Sequence, residues 1–133
     1  MSDSMAEYKS PQQQIFDAVF LLSLNLGYHT YDFLPPKGAA YPFVYVGEQF
    51  DQDSQTKTSV YGRVQQTVHV FHTVRNRRDV TDMMDAIKAE CRKLKRTENF
   101  HVTVKNITSQ IQNETAGTEQ LKHGIIEIDF QFN

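Results

Sequence analysis

The sequence predicts an α+β fold, with a mainly antiparallel sheet of four or five strands and two helices packed on one of its faces. Three observations support this prediction. Two stretches have apolar residues at helical spacing, strand-like stretches follow one another along the chain, and the last of them alternates between apolar and other residues. Two helices are too few to cover both faces of a parallel sheet, so we predict the order α-β-β-β-α-β-β.

Length, composition and charge are those of an ordinary soluble protein. The chain has 133 residues, 39% of them hydrophobic and 23% charged, and its net charge of −2 gives no overall attraction to nucleic acid or anionic membranes. The N-terminus lacks the apolar region of a signal peptide, and the longest apolar run, Ala18–Leu22, is too short to span a bilayer. We expect residues 1–9 to be a disordered tail and residues 10–133 to form one domain.

The first helix is predicted from Pro11 to Leu26. Ser10 is a favourable N-cap, proline is tolerated at the first helical position, and Gly27 is placed to end the helix. The apolar residues of this segment form a wide stripe, so one face of the helix should be buried.

A proline-rich stretch, Tyr31–Glu48, connects the first helix to the first long strand. We predict a short strand at Thr30–Phe33 and an extended elbow at Leu34-Pro35-Pro36, because proline fixes φ and lacks a backbone donor. Pro42–Glu48 is predicted as a longer strand, with proline at its tolerated first position.

The middle of the chain predicts a strand followed by the second helix. Gln49–Ser59 is polar and predicts a loop or the tip of a long hairpin, whereas Val60–Val74 is rich in β-branched residues and predicts a strand. Arg75–Arg78 predicts a polar turn, after which Asp79 would cap a helix that runs to Leu94. The apolar residues of that helix recur at i, i+3, i+4 and i+7.

The last two strands are predicted at Phe100–Gln112 and Gly124–Phe132, with a turn at Glu114–Glu119 between them. Lys105-Asn106 interrupts the alternation of the first of these strands, which indicates a β-bulge. In the final strand, Ile126, Ile128, Phe130 and Phe132 face one way, and Ile125, Glu127, Asp129 and Gln131 face the other way. One face should therefore pack on the core while the other meets solvent or a partner.

The residues that commonly carry chemistry do not form a recognisable site. His69 and His72 lie three residues apart in a predicted strand and so point to opposite faces, which does not suit one shared metal ion. Glu48, Asp51 and Asp53 lack the regular oxygen spacing of a calcium loop. The remaining histidines, His29, His101 and His123, are scattered.

The sequence also lacks the motifs of common enzyme classes. It has no glycine-rich phosphate loop and no serine-centred elbow. Its single cysteine, Cys91, excludes a disulfide framework and a cysteine-rich zinc site, and its place on the apolar stripe of the second helix predicts a buried structural thiol. We therefore expect no enzyme activity, no cofactor and no metal.

Basic residues concentrate at the two ends of the second helix: Arg75, Arg77, Arg78, Lys88, Arg92, Lys93, Lys95 and Arg96. Because no aromatic residue lies among them and the chain is slightly acidic, a solvated helix face or a protein contact is favoured over nucleic-acid binding. Two alternatives stay open on the residues alone: a small protein-binding module that uses its sheet face, and a nucleic-acid-binding module that uses Arg75–Arg78.

Short features in a particular order extend over nearly the whole chain. They are Leu24-Asn25-Leu26-Gly27 at the end of the first helix, Tyr31-Asp32, Pro35-Pro36, Tyr41-Pro42-Phe43-Val44, Gly47-Glu48, the polar tip at Asp51–Ser59, Val64–His72, the helix at Asp79–Leu94 and a terminal strand after Gly124. In this order they resemble the tail-completion or tail-terminator (head–tail joining) proteins of long-tailed bacteriophages.

The resemblance implies a structural role in a virion. Such proteins form a ring, typically a hexamer, that caps the head-proximal end of the tail tube, stops its polymerisation and presents a surface to the head connector. The implied partners are further copies of the chain, the tail tube protein and the head completion or connector protein, with DNA only passing through the channel and no membrane. The implied location is the head–tail interface of the virion, after assembly in the host cytoplasm.

A closed ring needs two different patches on each subunit that match one another. We expect the acidic tip to contact the tube or the connector, and Arg75, Arg77 and Arg78 to touch a neighbouring subunit. The tip residues are Glu48, Asp51, Gln52, Asp53, Gln55 and Lys57. Glu127 and Asp129, on the outer face of the last strand, suit a polar channel wall or a subunit contact.

Overall fold

The computed structural model of the protein describes residues 9–55 and 60–133, so residues 1–8 of the expected tail and Lys57 of the tip lie outside the described residues. The elements are α1 (Pro11–Asn25), β1 (Thr30–Tyr31), β2 (Phe43–Gln55), β3 (Val60–Thr73), α2 (Arg77–Lys93), β4 (Val102–Ala116) and β5 (Glu119–Phe132). Their order is the predicted one, and the α+β class is confirmed.

The strands form one five-stranded sheet in the order β1-β2-β3-β5-β4. Each neighbouring pair is antiparallel except the first, because the short β1 lies parallel to β2. The sheet is therefore mixed, although mainly antiparallel as predicted. β4 and β5 are joined by a tight turn at Gly117-Thr118, where Gly117 has a φ of 64° that few other residues adopt.

Both helices cover the same face of the sheet, which we call the helix-covered face. Ile15 and Val19 of α1 and Val80 of α2 share one buried core with the inward-facing residues of β2, β3 and β5. Helix α2 lies directly on the backbone of β5, since a methyl group added at Gly124 would collide with Sδ of Met84. Neither helix of the described chain is both long and apolar enough to cross a membrane.

The opposite face, which we call the open face, has a smaller core at one end. There Phe43, Phe71 and Leu121 are buried, and Ala39 and Tyr41 of the proline-rich stretch pack against them. The stretch thus folds back over the sheet instead of projecting from it. The peptide bond between Tyr41 and Pro42 is cis.

The first helix closely follows the prediction. The backbone N–H of Gln13 donates to Oγ of Ser10 at 3.2 Å, so Ser10 is the N-cap. The helix ends at Asn25, and Gly27 follows with a φ of 93°. Side-chain capping and a permissive glycine thus determine both ends of α1.

The polar segment after Glu48 is a strand and not a loop. Each residue from Gln49 to Gln55 pairs with β3, so the long-hairpin alternative is correct for the part that the structure describes. The prediction of a loop was wrong there because pairing with β3 satisfies the backbone even where the side chains are polar.

The start of α2 was also predicted wrongly. Its N-cap is Asn76 and not Asp79, and Arg77 and Arg78 belong to the first turn of the helix and not to a preceding turn. Asp79 lies in that first turn, where a carboxylate interacts favourably with the helix dipole.

The other strand boundaries differ by a few residues. β1 ends at Tyr31, β2 begins at Phe43, β3 ends at Thr73, β4 spans Val102–Ala116 and β5 already begins at Glu119. The predicted turn at Glu114–Glu119 is therefore mostly strand, because the β4–β5 hairpin continues until Gly117 permits a tight reversal.

Two β-bulges change the direction of side chains along the outer strands. The predicted one lies between Val104 and Asn106 in β4, and a second, which was not predicted, lies between Val46 and Gln49 in β2. The buried Gln66 holds the second bulge, since its Nε2 donates to the carbonyl oxygens of Gly47 and Glu48, each at 3.2 Å. This bulge places Glu48 on the open face.

Candidate interaction surfaces

The charged residues expected to make contacts lie at opposite ends of the sheet. Asp51 is paired with Val64, near the hairpin end of β3, whereas Arg75 follows the other end of that strand. From Val64 to Thr73 the strand advances nine residues, or about 30 Å. The structure therefore does not bring the acidic tip and the arginines together.

The arginines form an exposed cationic surface. Arg75 lies in the connection after β3, and Arg77 and Arg78 lie in the first turn of α2. All three side chains are exposed, and none forms an ion pair with any residue of 9–55 or 60–133. Their positive charge is thus available to a partner.

Glu127 and Asp129 lie on the open face, as predicted from the alternation of the last strand. Oε1 of Glu127 accepts from Oγ1 of Thr108 at 3.4 Å, and Asp129 forms an ion pair with Arg63 at 3.4 Å. Exposed contacts of this kind contribute little to stability. This half of the open face is therefore a polar surface that water or a partner can reach.

A row of four titratable side chains crosses the open face at its covered end. Oε1 of Glu48 lies 2.6 Å from Nε2 of His69, and Nδ1 of His69 lies 2.8 Å from Nε2 of His123. Nδ1 of His123 in turn lies 3.2 Å from Oε1 of Glu114. The row joins β2, β3, β5 and β4, and both imidazoles are buried.

The hydrogen-bonding capacity of these groups determines where the protons lie. A carboxylate only accepts, so Nε2 of His69 donates to Glu48. In a neutral His69, Nδ1 then accepts from Nε2–H of His123, which leaves Nδ1 of His123 without a proton opposite Glu114. The contact between Nδ1 of His123 and Oε1 of Glu114 is the longest of the three. A proton on that Nδ1 would turn it into a hydrogen bond.

Burial and nearby charge act against each other in this row. Burial lowers the pKa of the His123 imidazole below its ordinary value, although the Glu114 carboxylate acts in the opposite direction. Burial raises the pKa of the Glu48 carboxyl, but the hydrogen bond from His69 and the charges of the histidines outweigh it and leave that pKa below its ordinary value. The additional proton on His123 is therefore disfavoured near neutral pH.

The row was not predicted from the sequence. The alternation of β3 correctly placed His69 and His72 on opposite faces, and Nε2 of His72 lies on the helix-covered face, 3.5 Å from Oδ2 of Asp79. His123 looked scattered in the sequence, because its contact with His69 spans 54 positions and depends on the pairing of β3 with β5. The residues around His69 and His123 in the sequence do not indicate the register of β3 with β5.

The row is arranged as a structural support. The imidazole nitrogens point at one another and at the carboxylates, and no three metal-ligating side chains converge within the part of the chain that the structure describes. His69 stacks on Tyr45 and His123 stacks on Phe71, with ring centroids 5.2 Å and 4.1 Å apart.

Cys91 is buried as predicted, and burial raises the pKa of its thiol to about 12.

A pocket of about 270 Å³ lies beside the row, under the proline-rich stretch. Phe43, Phe71 and Leu121 are apolar residues of its lining, and Lys37, Glu114 and Glu119 are the charged ones. The Oη–H of Tyr41 donates to Oε1 of Glu119 at 3.3 Å, so the stretch is tied to the start of β5.

Comparison with known proteins identifies the fold. No family model and no curated protein matches the chain. A chain in a solved structure described as the virion of a native gene transfer agent (GTA) particle is similar, with a TM-score of 0.64 and 13% identity over 94% of this chain and 97% of that one. A second solved protein, named only by a sequence identifier, has a TM-score of 0.54 and 11% identity over 100% of this chain and 96% of its own. At these identities the likeness shows a shared fold.

Proposed function

We propose that the protein is a structural component of a phage-like virion. The observation that carries the proposal is the fold shared with a chain of the gene transfer agent virion, which extends over almost the full length of both chains. Within such a particle, the resemblance to tail-terminator proteins gives the specific role. The protein forms a ring, a hexamer in that family, which caps the head-proximal end of the tail tube, ends its polymerisation and joins the tail to the head connector.

The open face suits the wall of a channel through which DNA passes. Beyond its covered end, this face presents Glu127, Asp129 and Gln131, and Gln110 and Thr108 lie beside them on β4. Carboxylates repel the phosphate backbone, so DNA can pass such a surface without adhering to it.

The two ends of the sheet suit the two partners of such a ring. If the ring axis runs along the strands, the hairpin end and the end with Arg75, Arg77 and Arg78 form opposite rims. One rim then meets the tail tube protein and the other meets the head connector protein. This geometry favours a rim role for the arginines over the neighbouring-subunit role that the sequence led us to expect, because they lie at a sheet end and not along a sheet edge.

The test is to mix the protein with purified tail tubes of its own particle and to image the tube ends by electron microscopy. We expect a ring at one end of each tube and no further growth when tube subunits are added. Tubes that stay uncapped and continue to grow would overturn the proposal.

A matched pair of charge reversals tests the role of the arginine rim. Arg78→Glu should weaken attachment at that rim several-fold, since it replaces by an anion a cation that forms no ion pair within residues 9–55 and 60–133. Arg96→Glu makes the same change at an exposed position just beyond the far end of α2 and should leave attachment at that rim unchanged. Equal behaviour of the two variants would remove the arginines from the contact.

A further inference from the structure

Both outer strands of the sheet have a long unpaired edge. Among the described residues, β1 covers β2 only where Thr30 and Tyr31 lie beside Val44 and Tyr45, and no strand lies beyond β4. Within residues 9–55 and 60–133, the outer edges of β2 after Val46 and of β4 after Val102 have no backbone partner. Such edges present N–H and C=O groups that can pair with another strand.

The two edges carry opposite charge at the same height of the sheet. Asp51 pairs with Val64, which pairs with Phe130, which pairs with Val104. The β4 bulge at Lys105 follows directly, so an acidic position on one edge lies level with a basic position on the other. From residue 48 to residue 55 the charged residues are all acidic: Glu48, Asp51 and Asp53.

The basic edge is reinforced by the end of α2. Arg92, Lys95 and Lys105 line a shallow hollow next to Val104 and Ile107. All three cations are exposed, and none forms an ion pair with another residue of the described chain. Like charges held close together favour an anionic partner.

The strand directions also match. β2 and β5 run one way while β3 and β4 run the other, so the β4 edge of one copy meets the β2 edge of the next copy as an antiparallel pair. On the open face of β2, Phe50 is 71% exposed, and it would be covered by the neighbouring strand.

We propose that the β2 edge at Gln49–Gln55 of one copy pairs with the β4 edge at Val102–Ile107 of the next copy, and that Asp51 faces the cations around Lys105. Two β2 edges, or two β4 edges, repel each other, so only unlike edges pair. Such head-to-tail contacts repeat around a ring. Ring closure at a tube end rests on the proposed function, whereas the pairing itself does not.

A disulfide experiment tests which edges meet. Gln52→Cys and Thr103→Cys place thiols at exposed positions on the open faces of β2 and β4 and at the same level of the sheet, and the native Cys91 is buried. The two variants, one with a mass tag, are mixed and oxidised. We expect mixed dimers to exceed either like dimer by about fivefold or more, since only unlike edges attract.

Gln112→Cys is the matched control for the second variant. Gln112 is exposed on the same strand and face, but it lies level with Phe43 at the other end of β2, where β1 begins to cover the edge. Like dimers as abundant as mixed dimers, or a mixed yield no higher than with Gln112→Cys, would overturn the edge pairing.

Charge exchange tests the electrostatic part. Asp51→Lys or Lys105→Glu, introduced in both cysteine variants, should each lower the mixed yield up to about fivefold, and the two together should restore it. Asp85→Lys makes the same charge change on an exposed position of α2 and should have no effect. A combined variant that pairs no better than the weaker single variant contradicts the assigned charge contact.

Imaging of tube ends separates this inference from the proposed function. Rings on tube ends that lack the mixed disulfide would refute the edge pairing and leave the proposed function intact. Mixed disulfides in solution, together with uncapped tubes, would support the edge pairing and refute the proposed function.

Discussion

The two faces of the sheet use the same strands but are stabilised in different ways. On β5, Ile126, Ile128 and Phe130 are fully buried beneath the helices. On the opposite face of that strand, Leu121 and His123 are buried while Glu127 is exposed. The first face is a continuous apolar layer, whereas the second changes along its length from an aromatic and histidine cluster to a polar surface.

The two faces differ in how far they depend on long-range register. An apolar layer tolerates a slip of two residues, which keeps the same face buried, because burial is non-directional and roughly proportional to area. The row from Glu48 to Glu114 depends on four strands in one alignment, because hydrogen bonds require particular distances and directions. The helix-covered face should therefore account for most of the free energy of unfolding. The contribution of the open face should depend more on the protonation of individual side chains.

Replacement of a buried phenylalanine by alanine, on either face, should lower the free energy of unfolding most. Phe130→Ala should lower the free energy of unfolding by about 3–5 kcal/mol, because a closed core cannot collapse around the cavity. Phe71→Ala should cost about 2–3 kcal/mol, because Phe71 borders a pocket that water reaches. Urea unfolding followed by circular dichroism measures both, and equal losses would contradict the proposed difference between the faces.

A substitution in the contact between α2 and β5 should have an intermediate effect on the free energy of unfolding. Gly124→Ala should lower the free energy of unfolding by about 1–3 kcal/mol, because the added methyl group displaces Met84 from a well-packed core. In a double-mutant cycle with Met84→Ala, the combined loss should be smaller than the sum of the two separate losses. Additive losses would show that Met84 is not the residue displaced.

The titratable groups of the open face should have the smallest effect on the free energy of unfolding, and this effect depends on pH. The pKa of His123 in the folded protein lies below its ordinary value of 6.5, so the unfolded chain binds more protons as the pH falls through that range. The free energy of unfolding should then fall with decreasing pH, by at most about 1.4 kcal/mol per pH unit from this group. The low pKa of Glu48 adds a further loss at more acidic pH.

The measurement is the free energy of unfolding of the protein and of His123→Gln between pH 8 and pH 5. Gln keeps a polar side chain but does not titrate, so the variant should show a flatter dependence in the part of this range below about pH 6.5. An unchanged slope would assign the pH dependence to other groups.

Local patterns predicted most of the fold. The cap at Ser10, the stop at Gly27, the stripe of α2, the bulge at Lys105 and the alternation of β5 are features of neighbouring residues, and each one is confirmed. The errors lie where a distant partner overrides local composition. The polar segment after Glu48 becomes a strand because β3 lies beside it.

The candidate surfaces were only partly predictable. The exposed arginines and the outward Glu127 and Asp129 follow from local spacing. The row through His123 and the level of Asp51 with Lys105 depend on pairings between strands that are distant in the chain.

Local sequence patterns therefore predicted the order of the helices and strands and the buried face of the last strand, because capping, turn chemistry and periodicity act within a few residues. Long-range contacts settle which strands are neighbours, in what register, and which edges remain unpaired. Those choices depend on how the whole chain best buries its apolar area while satisfying its backbone hydrogen bonds.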